Sequence, residues 1–160
     1  MRTKYLFVTI VVLAFGPAAA SMQPVGWRKY VVPETGANVA IPDEIFTQDA
    51  GPPDRGYGRR FQTGDGRANL TVNSMANVDK DTPASFLRKH FALPRSAAVY
   101  RRITGRFFVV SGIQNERIWY NRCNFAREFI HCVLLNYPAN EKRQWDDVVT
   151  QISQTLASHS

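Results

Sequence analysis

The sequence predicts an α+β fold, in which a mostly antiparallel sheet of about six to eight strands is covered by two helices and carries one intramolecular disulfide. Three observations predict it. Residues 106–137 hold the densest apolar and aromatic content of the chain together with its two cysteines. Gly64-Asp65-Gly66 separates two short strand-like runs, as a hairpin turn does. The last stretch of the chain repeats apolar residues at helical spacing.

Short apolar or alternating runs that are bounded by Gly, Pro, Asn or Asp predict the strands in order. These runs are residues 27–32, 37–41, 59–63, 68–75, 99–104, 106–113, 118–126 and 129–137. Phe46 is expected to pack beneath the first pair of strands. Residues 49–58, DAGPPDRGYG, contain three glycines and two prolines and predict a long loop. Nothing in its composition decides whether this loop is functional.

Two helices are predicted. Thr82 followed by Pro83 has the pattern of an N-cap and a first helical residue, and the helix is expected to reach about Phe91. The second helix is expected to run from Asn140 or Glu141 to Ala157. Its apolar stripe consists of Trp145, Val148, Val149, Ile152 and Leu156.

The disulfide follows from strand register. If residues 118–126 fold back on residues 129–137 about a two-residue turn, Cys123 faces Cys132 in a non-hydrogen-bonded pair, where side chains are close enough to form a disulfide. The turn residues Arg127 and Glu128 are not those that tight hairpins prefer, so a longer loop that still joins the cysteines is an alternative. The other alternative is two free, buried cysteines.

Residues 1–20 have the organisation of a bacterial-type signal peptide. Arg2 and Lys4 precede an apolar run that is too short to span a bilayer, and three alanines follow it. Cleavage is expected after Ala20, which leaves residues 21–160 as one α+β domain without a transmembrane segment. We therefore expect a protein exported to the periplasm or secreted, where disulfides persist.

The chain is basic, with a formal charge of +7, and removing Arg2 and Lys4 with the signal peptide leaves +5. A basic exported protein is attracted to anionic glycans, lipid head groups or acidic proteins. The expected partner is therefore an envelope protein or an anionic glycan or lipid surface. Export argues against nucleic acid as a partner.

The sequence contains no recognisable catalytic motif. The histidines are His90, His131 and His159, and the spacing Cys-x8-Cys fits a disulfide better than a zinc site or a redox motif. Ser111-Gly112 lacks the pattern of the hydrolase nucleophile elbow. We therefore predict no catalytic residue, no metal site and no cofactor.

One constellation is a candidate binding site. Alternation along residues 118–126 places Tyr120, Arg122 and Asn124 on one face, and the hairpin adds His131 opposite Asn124. If no helix covers this face, the four residues form a polar and aromatic platform suited to a glycan or a peptide. The alternative is that a helix covers the face and the polar side chains bond within the core.

The sequence resembles the Mog1/PsbP-like class of small exported or membrane-tethered domains. The similarity lies in a strand, turn, strand and proline over residues 30–42, a phenylalanine soon after, and a Gly-rich hairpin that leads into ANLTV. VVSG and LLNYP strands before an amphipathic last helix complete it. The cysteine pair is not part of that class pattern. The segment RCNF to IHC, followed by YPANEKRQWDDVVTQIS, is also similar to uncharacterised envelope proteins of rhizobia-like bacteria.

The resemblance implies a binding or assembly factor without catalysis. The alternative is a small periplasmic enzyme, hydrolase-like, whose site the sequence does not reveal. A deep pocket that holds His131, Arg122 and an acidic side chain within hydrogen-bond reach would favour the enzyme. A shallow exposed face would favour the binding module.

Overall fold

The computed structural model describes residues 26–91, 98–126 and 128–157. The predicted signal peptide, the tail residue His159 and the turn residue Arg127 lie outside these ranges. The described strands and helices are β1 (Trp27–Val31), β2 (Asn38–Pro42), β3 (Gln48–Asp49), β4 (Tyr57–Gln62), β5 (Asn69–Ala76), α1 (Pro83–His90), β6 (Ala98–Ile103), β7 (Phe107–Gln114), β8 (Arg117–Ala126), β9 (Phe129–Pro138) and α2 (Lys142–Thr155), with a 3₁₀ turn at Ala139–Glu141 before α2. No helix in the described ranges combines the length and the apolar character that crossing a membrane requires.

Seven strands form one sheet in the order β3-β4-β5-β9-β8-β7-β6, and β1 and β2 form a separate two-stranded sheet. Every pairing in both sheets is antiparallel. The predicted α+β fold with a mostly antiparallel sheet and two helices is therefore confirmed.

The β8–β9 hairpin has the predicted register. Ala126 faces Phe129, and Cys123 faces Cys132. The two sulfurs are bonded, and the Cα atoms of the two cysteines are 4.1 Å apart, the short separation of a non-hydrogen-bonded pair. The predicted disulfide is confirmed.

Each face of the large sheet is covered by a different apolar cluster. On one face, α2 and the β1–β2 hairpin pack over β5, β8 and β9; the core includes Val39, Ile41, Phe46, Leu70, Val72, Val133, Leu135, Trp145 and Ile152. On the other face, α1 packs over the disulfide through Phe86 and Leu87. Phe46 lies where the sequence places it, with its ring centroid 5.8 Å from that of Trp145.

Both helices were predicted, and each is slightly shorter than expected. Thr82 caps α1, since its hydroxyl accepts a hydrogen bond from the Ser85 amide at 3.2 Å. All eight predicted strands are present, and β3 is a further strand that was not predicted. Gln48 and Asp49 are polar and exposed, and they form a strand only through pairing with Gln62 and Phe61 of β4.

Candidate functional site

The four predicted platform residues lie on the sheet face that α2 covers. The register pairs Asn124 with His131, and alternation along β8 places Tyr120 and Arg122 on the same side. Ser153 of α2 reaches this face, and its Oγ is 2.6 Å from the Tyr120 Oη. The helix therefore covers part of the platform.

The side chains of Asn124 and His131 form hydrogen bonds within the protein. The Asn124 Nδ2 donates to the carbonyl of Leu156 at 2.9 Å, beyond the last turn of α2. The His131 side chain is 2% exposed, and its Nδ1 lies 2.7 Å from the Ser74 Oγ. Burial lowers the pKa of the His131 imidazole, so the neutral ring is favoured.

Ser74 and His131 form a hydroxyl–imidazole pair of the kind that hydrolases use, but its surroundings differ from an active site. Ser74 is fully buried, like His131, so a substrate does not reach the hydroxyl. No carboxylate in the described ranges hydrogen-bonds to the imidazole. We interpret this pair as a structural contact between β5 and β9.

Tyr120 and Arg122 border a groove beside α2. The groove has a volume of about 180 Å³, and the side chains that define it come from β6, β7, β8 and α2: Tyr100, Arg102, Phe107, Tyr120, Arg122 and Gln154. We call it the arginine groove. It exists because α2 packs on β8 and β9 and leaves this face of β6 and β7 open.

Two guanidinium groups share one aromatic ring in the arginine groove. The Cζ of Arg122 lies 4.8 Å from the Phe107 ring centroid, and that of Arg102 lies 5.5 Å from it. Both distances are those of cation–π contacts. Neither arginine forms a salt bridge with a described residue, so the ring holds the two charges without neutralising them.

Arg122 is held in place by hydrogen bonds, whereas the structure shows no side-chain hydrogen bond from Arg102 to a described residue. The Arg122 Nε donates to the Asn124 Oδ1 at 2.9 Å, and its Nη1 donates to the Ser153 Oγ at 3.4 Å. Burial raises the pKa of the Tyr120 phenol, opposed by its hydrogen bond with Ser153 and by the charge of Arg122. The phenol is therefore neutral at physiological pH, and the groove keeps its positive charge.

Comparison with known proteins shows a similarity of fold to a solved structure. No protein-family model matches the chain. No curated protein matches it either. The solution structure of cyanobacterial PsbP (CyanoP) from Synechocystis sp. PCC 6803 is similar, with a TM-score of 0.60, 10% sequence identity, and coverage of 89% of this chain and 98% of that chain.

The chain has a PsbP-like fold. This confirms the fold that the resemblance in the sequence implied. A sequence identity of 10% supports similarity of fold alone. Candidate binding residues are therefore identified from the geometry of this chain.

The PsbP-like fold places a second, larger groove on the opposite face of the sheet. It has a volume of about 560 Å³ and lies between α1 and the loop that was predicted at residues 49–58. Loop residues close its rim, since Asn73 Nδ2 donates to the Arg55 carbonyl at 2.8 Å and Asp54 pairs with Arg60 at 3.6 Å. Arg60 of this groove therefore has an acidic neighbour in Asp54, whereas Arg55, which also lines the groove, forms no salt bridge with a described residue.

The sequence reasoning missed Tyr100, Arg102 and Phe107. These residues join Arg122 only through the β6–β7 and β7–β8 pairings, which bring the three strands side by side. Within the described ranges, no group of three or more His, Cys, Asp or Glu side chains is placed to hold a metal ion.

Proposed function

We propose that this protein is an exported, non-enzymatic binding or assembly module that recognises an anionic group of an envelope component through the arginine groove. The observation that carries the proposal is the pair of guanidinium groups of Arg102 and Arg122 on the ring of Phe107, without a carboxylate partner in the described chain. Export itself is a proposal that is supported by the organisation of residues 1–20.

The charge of this end of the molecule supports an anionic ligand. Residues 98–126 contain five arginines and one acidic residue, Glu116. A surface with such an excess of one sign raises the local concentration of oppositely charged partners and speeds their association. Two of the five arginines, Arg102 and Arg122, line the arginine groove.

The chemistry of the groove favours a carboxylate, phosphate or sulfate group. A guanidinium presents its donors in a planar fork that matches the oxygens of these groups. Arg122 is oriented in advance by Asn124 and Ser153, so binding orders only one long side chain, Arg102. Tyr100 is 48% exposed at the rim and can cover an apolar part of the ligand.

A retention experiment tests this proposal. Purified protein is applied at low ionic strength to immobilised heparin, to vesicles with anionic phospholipid and to immobilised polyglutamate. We expect at least one of these to retain it, and Arg102→Ala to weaken that binding by about tenfold or more, the effect of one charge-assisted hydrogen bond. Retention should fall as salt is added.

Arg88→Ala is the matched control, because Arg88 is an exposed arginine of α1 on the opposite side of the sheet. This variant removes the same charge. Compared at about 0.15 M salt, where exposed charges more than about 8 Å apart are largely screened, it should bind within about twofold of the wild type. Equal losses in Arg88→Ala and Arg102→Ala would mean that total charge alone drives retention. That result, or no retention on any of the three surfaces, would contradict the proposal.

A further inference from the structure

The outer edge of β6 is the feature that carries a further inference. β6 is the last strand in the order of the seven-stranded sheet, and none of the described strands pairs with its outer side. An edge strand presents unpaired backbone N–H and C=O groups, which can template the addition of another strand. This edge borders the arginine groove, since Tyr100 and Arg102 belong to β6.

The hydrogen-bond pattern shows which backbone groups point outward. The Thr104 amide donates to the Phe107 carbonyl at 2.8 Å, so these two residues face each other across the β6–β7 turn. In an antiparallel ladder, hydrogen-bonded and non-hydrogen-bonded positions alternate along the strand. Ile103 pairs with Phe108 and Arg101 with Val110 at non-hydrogen-bonded positions. The N–H and C=O groups of Arg101 and Ile103 therefore face away from the sheet.

Arginine side chains lie on both faces of the sheet at this edge. Tyr100, Arg101 and Arg102 are all exposed, although alternation places Arg101 on the opposite face from the other two. Neither Arg101 nor Arg102 has a salt-bridge partner in the described part of the chain. Pairing of β6 with β6 of a second copy would bring these arginines together, which is unfavourable. A strand with acidic side chains would meet complementary charge on either face.

We propose that the anionic partner is a protein that adds an extended acidic segment to β6 as an eighth strand of the sheet. Backbone hydrogen bonds to Arg101 and Ile103 would provide affinity, and acidic side chains beside Arg101 and Arg102 would provide specificity, as in other cases of strand addition. This inference rests on the proposed function, because it identifies the ligand of the same basic surface.

The test compares two peptides of equal charge. One is an acetylated and amidated peptide of two Glu-Glu-Thr-Thr repeats, which places glutamates on both faces of an extended strand, and the other carries methyl groups on its four central amide nitrogens. Methylation removes the backbone donors and leaves the carboxylates, so strand addition predicts that affinity falls by about tenfold or more. In the purified protein, hydrogen exchange at the Arg101 and Ile103 amides should slow when the unmethylated peptide is bound.

A pair of variants tests the protein side of the interaction. Arg101→Pro removes both the charge and the outward N–H, and Arg101→Ala removes the charge alone. The Arg101 amide bonds to no described strand, so Arg101→Pro leaves the β6–β7 ladder intact, and its fold is checked by circular dichroism. Strand addition predicts weaker peptide binding by Arg101→Pro than by Arg101→Ala. If Arg101→Pro does not fold, the methylated peptide decides.

The outcomes separate this inference from the proposed function. Equal binding of both peptides, still dependent on Arg102, would show recognition of charge alone and overturn strand addition. Failure of both peptides, with Arg102-dependent binding of heparin or anionic vesicles, would also overturn it; in either case the proposed function stands. If no anionic ligand binds in a way that depends on Arg102, both proposals fall.

Discussion

Reduction of the Cys123–Cys132 disulfide should lower the stability of the protein by an amount that its loop length sets. The two cysteines are nine residues apart. Cross-linking a loop of this size removes conformational entropy from the unfolded chain worth about 2.5 kcal/mol in the loop-closure model. Both cysteines are almost completely buried, and the thiols formed by reduction stay in the same apolar site. The change should therefore come mainly from the unfolded state.

Urea denaturation with and without reductant measures this difference. A loss of about 2.5 kcal/mol raises the unfolding equilibrium constant roughly 70-fold. With a slope of about 1.5 kcal/mol per molar urea, the midpoint should fall by about 1.7 M. The reduced protein should still unfold in one cooperative transition, because α1 and the sheet remain packed around the thiols. Cys123→Ala/Cys132→Ala is the control, and its midpoint should not respond to reductant.

Two results would refute the reasoning. Coincident midpoints in oxidised and reduced protein would show that the bond does not constrain the unfolded chain, for instance because the β8–β9 hairpin persists there. Complete unfolding on reduction at neutral pH without urea would show that the native packing itself depends on the bond. The loop-closure account predicts neither.

Three further predictions concern buried contacts. Gly58→Ala should destabilise the protein by at least about 3 kcal/mol in the same urea assay, because φ of Gly58 is +131° and the new Cβ would lie 2.0 Å from the Val72 carbonyl oxygen. Gly66→Ala should cost about 1 kcal/mol, because φ of Gly66 is +68° but the new Cβ would meet open space. Ile152→Ala should cost about 2–5 kcal/mol by thermal or urea unfolding, since this α2 side chain is fully buried, and a loss below 1 kcal/mol would contradict the packing. Burial lowers the pKa of His131 in the folded protein below its value of about 6.5 in the unfolded chain. As the pH falls below about 6.5, the unfolded state therefore binds more protons than the folded state, and the free energy of unfolding decreases. In His131→Gln the free energy of unfolding should fall less between pH 8 and pH 5 than in the wild type, and equal falls would refute this role.

The sequence was sufficient to predict the elements whose signals are local. The alternation of β8 and β9 and the turn between them determine which residues face each other, and the pair Cys123 and Cys132 follows from that register. Thr82 and Pro83 mark the start of α1 for an equally local reason. β3 was not predictable in this way, because two polar residues become a strand only when β4 lies beside them.

The candidate site was only partly predictable, because it depends on where α2 crosses the sheet. The periodicity of α2 shows that one side is apolar and does not show which strands it covers. Alternation placed Tyr120 and Arg122 on one face correctly, but the contacts of Asn124 with Leu156 and of His131 with Ser74 are tertiary. Arg102 and Phe107 lie beside Arg122 because of the registers of the β6–β7 and β7–β8 pairs. The sequence does not specify these registers residue by residue.

The distribution of ion pairs shows that the arginines of β6 keep their charge unpaired within the described ranges. Arg28 of β1 pairs with Asp43, and Arg59 and Arg60 of β4 pair with Asp49 and Asp54. None of the arginines of β6, β7 and β8 forms a salt bridge in the described ranges, and Phe107 supports two of them through its ring. Neutralised pairs contribute little to the field at a distance, whereas the unpaired charges of Arg101 and Arg102 act at the β6 edge. In the proposed strand addition, an acidic segment would meet this charge at the same edge whose backbone groups are open for pairing.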